Sequence, residues 1–174
     1  STFTLDFSPQ PYCAVVSVTK EPLSSQQSQY GTASYGNVST RASSGNPISF
    51  SHQVGSGTGR MLVVSAAVED TSVIHCAVTG VTFDGIPLTR ANQISTGSVT
   101  RMCTEMWYLS NPPVTTGNVV VTFGGSTDST VVSAMTLFDT DGGAPVTAVN
   151  ANGSNPPSLS VDVPVAIAGS MIVD

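Results

Sequence analysis

Short apolar runs closed by Gly, Pro, Asn or Ser follow one another along almost the whole chain, and this punctuation most limits what it can become. FTLDF, CAVVSVT, ISFSHQV, RMLVVSAAVE, VIHCAVTGVTF, SVTRMCTEMWYL, NVVVTFGG, TVVSAMTLFD, APVTAV, SLSVDVPV and SMIVD all read as strands. No window repeats apolar residues at i, i+3, i+4 and i+7 over three turns, so helix is at most a minor component. The composition has the same cause. Val, Thr and Ser make up 70 of the 174 residues, and branching at Cβ suits the first two to a pleated surface. NVVVTF and SLSVDVPV alternate apolar with polar, which gives one face to a core and the other to water. About ten short strands at this spacing predict an all-β fold with two packed antiparallel sheets, an immunoglobulin-like or jelly-roll sandwich.

Strand parity selects the core anchors. Along RMCTEMWYL, Cys103, Glu105, Trp107 and Leu109 share one face, and Met102, Met106 and Tyr108 share the other. The single tryptophan, Trp107, is expected to fill the space between sheets with Leu109 beside it, since an indole gains most from burial. Glu105 then needs a cationic partner on the same face, and Arg101 or Arg90 is nearest in sequence. Residues 21–45, rich in Ser, Gln, Gly and Tyr, read as a linker or sheet edge between an N-terminal hairpin at 1–20 and a sandwich body at 46–174. VTFDG at 81–85 and VTFGG at 121–125 read as strand ends turning on glycine.

Charge removes whole classes of function. With 5 Lys+Arg against 11 Asp+Glu, a net charge of −6 and only 9% charged residues, the chain lacks the clustered cations that neutralise phosphates. Nucleic acid is therefore not an expected partner. No apolar run reaches the roughly 18 residues of a membrane helix. One lysine, a hydroxyl-rich surface and the sequons at Asn37 and Asn152 point to an extracellular glycoprotein. Cys76 and Cys103, each in a strand-like run, are a candidate disulfide; Cys13, in PYCAVVSV, is left over as a small buried residue or an intermolecular partner.

The search for chemistry yields one cation site and no reaction. Glu69, Asp70, Asp139 and Asp141 lie in turns and are the candidate calcium ligands, FDTDGG resembling the start of a calcium loop without its acidic twelfth position. The same carboxylates equally suit turns in which Asp caps backbone amides. His52 and His75 have no third ligand at metal spacing and read as structural. GSGTG at 55–59 lacks the following Lys and helix of a phosphate loop and reads as a hairpin loop. No Gly-x-Ser-x-Gly elbow is present, and 6% aromatic content is poor for a glycosidase cleft. A non-enzymatic protein is expected.

From SFSHQVGSGTGRMLVV through VTFDGIPLTRANQ, EMWYLSNPPVTTGNVVVTFGG, VVSAMTLFDTDGGAPV and AGSMIVD, the chain resembles a β-sandwich module of large secreted and surface proteins of bacteria and archaea. The resemblance covers residues 46–174 and implies a structural or adhesive role with no active site. In such modules a strand like AGSMIVD leads to a closing hairpin. Here residues 1–20 look like that hairpin placed at the front, with Tyr12 and Cys13 where the family usually has Trp. A body lacking its closing strands leaves backbone groups unpaired. Phe3, Leu5, Phe7, Cys13, Val15, Val16 and Val18 are then the candidate donor-strand residues. The expected function is a subunit of an extracellular filament, tube or surface layer, a homo-polymer built head-to-tail by strand donation. The alternatives are a hairpin that folds back on its own body, a cut from a tandem array, or an adhesive or carbohydrate-binding module whose sugar face uses Trp107, Tyr108 or Tyr30.

Overall fold

The structure, a computed structural model, describes residues 5–6, 32–70, 77–96, 101–147, 158–159 and 170–173. It is all-β. Strands β2 (Ser34–Ser43), β4 (Met61–Asp70), β7 (Thr89–Thr96), β8 (Arg101–Ser110) and β10 (Ser129–Phe138) form a five-stranded sheet ordered β2-β10-β4-β8-β7. Strands β3 (Ile48–Gln53), β5 (Val78–Phe83), β6 (Ile86–Pro87) and β9 (Thr116–Phe123) form a four-stranded sheet ordered β3-β9-β5-β6. Every pairing is antiparallel. A separate ribbon pairs β1 (Leu5–Asp6) with β11 (Ser158–Leu159).

The two sheets bury one shared core. Leu62, Val64, Ala66 and Val68 of β4, Val132 and Ala134 of β10, and Cys103 and Trp107 of β8 meet Ile48, Val81, Phe83, Val119 and Val121 of the smaller sheet. The alternation visible in the sequence supplies these residues, because one strand face in two turns inward. Within each layer only β5–β6 and β7–β8 are neighbours in both sequence and space; the remaining steps from β2 to β10 cross between sheets. The Asp84-Gly85 turn between β5 and β6 has both residues at positive φ, 48° and 80°, the two-residue geometry that matches the right-handed strand twist.

Several expectations are revised by this topology. GSGTG is a crossing between sheets and not a hairpin, since β3 and β4 lie in different layers. Gly59 there has φ +50°, and a Cβ on it would strike the Thr140 carbonyl. Of the polar stretch read as linker or edge, residues 34–43 form β2, a full edge strand of the larger sheet. TRANQIST, passed over in the sequence, is the opposite edge, β7. Residues 144–147 and 171–173, expected in strands, are irregular.

Candidate functional site

Polar side chains tie the layers together at both flanks. On one flank Glu105 is fully buried, with 0% side-chain exposure. It accepts from the Val78 amide at 2.9 Å and from the Trp107 indole Nε1 at 3.2 Å, and pairs with Arg90 Nε at 3.0 Å. Arg90 also donates to the Val78 carbonyl at 2.7 Å and to Gln93 Oε1 at 3.1 Å, with its guanidinium 4.9 Å from the Trp107 ring centroid. Both main-chain groups of Val78 in the smaller sheet are thus held by side chains of the larger. Burial pushes the Glu105 carboxyl above its ordinary value, while the Val78 amide, Arg90 and Trp107 pull it back down. Trp107 is 7% exposed and belongs to the core, so it offers no platform to a sugar. Leu109 packs against the same cluster.

On the other flank His52 of β3 bonds Ser39 Oγ of β2 at 3.0 Å through Nδ1 and Thr136 Oγ1 of β10 at 2.9 Å through Nε2. Asn37 Nδ2 donates to the Gln53 carbonyl at 3.0 Å just beyond. Two hydroxyls and no carboxylate face the imidazole, which suits a neutral, structural histidine. Its burial lowers the His52 pKa from 6.5. The sign of the pH effect follows: the unfolded chain takes up a proton near 6.5 and the folded chain resists it, so His52 stabilises the fold above pH 6.5 and this is lost as pH falls toward its folded pKa. Denaturant melts between pH 7.5 and 5.5 are expected to lose stability by up to about 1.4 kcal/mol per pH unit, and His52→Gln is expected to flatten that slope.

The acidic residues do not form one coordination sphere, contrary to the calcium expectation. Glu69 and Asp70 end β4 beside Ser129, whereas Asp139 and Asp141 follow β10 at the end beside Met61. Eight strand residues separate the pairs, roughly 26 Å at the usual rise per residue. Asp139, at φ 57°, accepts from the Thr58 hydroxyl, and its amide bonds the Thr58 carbonyl at 2.9 Å. Asp141 Oδ1 accepts from the Gly143 amide at 2.9 Å. Both act as turn caps. Asp70 is buried opposite Arg101 in register, and Glu69 is exposed. Among the described residues no three His, Cys, Asp or Glu side chains gather as a metal group, and no helix is long and apolar enough to cross a membrane.

Cys103 is disulfide-bonded; Cys76, its expected partner, and Cys13 lie outside the described residues. So do His75, Asn152, Tyr30 and the donor residues Phe3, Phe7, Val15, Val16 and Val18. Of the donor set only Leu5 is described, paired with Leu159. Asn37 is exposed on β2, and the sequon hydroxyl, Ser39, faces His52.

With chemistry-bearing side chains absorbed into these flank contacts, the sheet edges become the candidate functional elements. Three are blunted. β6 is two residues long and includes Pro87. β3 follows Pro47 and is overlaid by the Asn37 and Ser39 contacts from β2. β7 is bulged at Ala91, between Arg90 and Asn92. The fourth, β2, is a ten-residue strand whose one neighbour among the described residues is β10. Its bulge lies toward the N-terminal end, opposite Thr136, leaving Val38–Ser43 regular. Comparison with protein-family models, with curated proteins and with solved structures gave no match for this chain.

Proposed function

We propose that this protein is a non-enzymatic structural subunit that joins to copies of itself by strand addition, in an extracellular filament, tube or surface layer. The observation that carries the reading is the outer edge of β2. A regular edge strand presents alternate amides and carbonyls at the spacing an incoming strand needs; β2 has no proline, and its one charged residue is Arg41, opposite Val132 on the inward side. The N-terminal strand adds support, since β1 pairs with β11 and lies in neither layer of the sandwich. The family resemblance of residues 46–174 to surface modules points the same way. Donor ribbon and acceptor edge are different surfaces, so each added subunit leaves a fresh edge and the contact propagates.

Electron microscopy with sedimentation tests this. The full chain is expected to form fibres, tubes or sheets as concentration rises, and a chain lacking residues 1–20 is expected to remain small and to bind the free 1–20 peptide. A full chain that stays monomeric at every concentration, with residues 1–20 protected from protease, rules the reading out.

A further inference from the structure

Apart from its edges, the larger sheet has a broad outer face, and it is almost free of charge. In register across β2, β10, β4 and β8 lie a row of Val38, Met135, Val63 and Tyr108 and a row of Ala42, Val131, Ala67 and Thr104. Between them Thr40, Ser133 and Ser65 form a hydroxyl stripe. Glu69, at one end of the central strand, is the one charged residue at this parity among the described residues of the sheet. Val38, Val131 and Met102 are 53%, 44% and 62% exposed. An apolar cleft of about 320 Å³ between Tyr35, Met135 and Met171–Val173 borders the face.

We propose that this outer face is a second self-association surface, on which a second copy of the chain packs sheet against sheet about a two-fold axis. Three observations choose a second copy. The first is electrostatic: the chain carries a net charge of −6, so two copies repel, and least where a single carboxylate is presented. A two-fold axis running across the strands sets the two Glu69 side chains at opposite ends of the contact. The second is extent. Five strands about 4.8 Å apart and seven or eight residues long give roughly 600 Å² per copy, or roughly 1,200 Å² for the pair, which reaches the lower limit of specific interfaces. The third is polar satisfaction. Thr40 Oγ1 and Ser133 Oγ already bond each other at 3.1 Å, so covering the stripe strips water from groups that keep a partner. A glycan platform needs an exposed aromatic plane within the face, but Tyr108 is half-buried and the exposed Tyr35 lies at one corner, against the cleft lined by Met135 and Met171–Val173. An anionic membrane needs cations, and the face has none.

The contact is independent of strand donation, and the test separates the two. Sedimentation velocity is run on the full chain with the free 1–20 peptide in excess, which occupies any acceptor edge and leaves the outer face open. The parent is expected to convert from a monomer, 17.8 kDa plus any bound peptide, to twice that mass as concentration rises. Val131→Lys and Met102→Lys, at exposed positions, are expected to weaken this at least tenfold with an unchanged melting temperature, and Val131→Thr is expected to retain it. A parent that remains a monomer in the presence of peptide, or lysine variants that associate as the parent does, overturns the proposal. Failure of donation reads differently, as a peptide that changes nothing in the size of the parent.

Discussion

Glu105→Ala is expected to destabilise the fold by about 3 to 5 kcal/mol, the range for removing one partner from a buried ion pair. That is a large share of the 5 to 15 kcal/mol that holds a typical domain together. The loss has identifiable parts. The Val78 amide, the Trp107 indole and the Arg90 guanidinium all point at one carboxylate, and alanine leaves the first two as buried donors without an acceptor and opens a cavity beneath the indole. Urea melts of parent and variant give the measurement. Glu105→Gln discriminates between charge and hydrogen bonding as the cause. Because burial outweighs the favourable contacts and raises the Glu105 pKa, the site favours a neutral group more than water does. The amide oxygen keeps an acceptor for Val78, but the NH2 then faces the Trp107 and Arg90 donors, so the cost is expected at about 1 to 3 kcal/mol, below that of alanine. If Gln were as damaging as Ala, the oxygen that serves Trp107 and Arg90 together would be the main contribution.

The raised pKa also sets a pH dependence opposite to that of His52. The folded protein binds the Glu105 proton before the unfolded chain does, so the contribution of this group to stability increases as pH falls through its folded pKa toward 4.5. Acid therefore loosens the His52 flank and leaves the Glu105 flank intact. In the Glu105→Gln variant the low-pH gain is expected to vanish while the His52 slope between pH 7.5 and 5.5 persists.

Phe83→Ala is expected to cost about 3 to 5 kcal/mol through transfer and cavity effects. Phe83 is the largest of the fully buried side chains and ends β5 immediately before the Asp84-Gly85 turn. Its ring meets His52 edge-on with centroids 6.3 Å apart and lies close to Gly117 on β9. Deleting the ring removes core contacts and one wall of the His52 pocket together. Water entering that space would solvate the imidazolium, so the His52 pKa is expected to move back toward 6.5. NMR titration of His52 in this variant reads that coupling, and an unmoved pKa would mean that Phe83 acts on packing alone.

Much of this architecture was legible in the chain. The inward set Cys103, Glu105, Trp107 and Leu109 follows from parity, and the rule that a buried carboxylate must be paired leaves Arg101 and Arg90 as candidates, between which the structure selects Arg90. Neither edge strand reads as a strand from its own pattern, although linker or sheet edge is the expectation for the stretch that holds β2. SYGNVSTRAS and TRANQIST bury little on either face, so neither carries the alternation that marks a strand packed on a core. Ten residues of β2 were consequently read as linker or edge. The acidic residues were misjudged as a set because nearness in turn chemistry says nothing about which end of a sheet a turn occupies.

The sequence by itself determined that the chain is built from strands, which face of most of them is apolar, and that Lys and Arg are few and scattered, because these are properties of residue type and period along the chain. Only the tertiary structure decided the order of strands in each layer, the crossing at GSGTG, the separation of Glu69 and Asp70 from Asp139 and Asp141, and the stitching of the flanks by Glu105 and His52. Those depend on contacts between residues far apart in sequence, such as His52 with Thr136, and period-two patterning carries no record of which strand lies beside which.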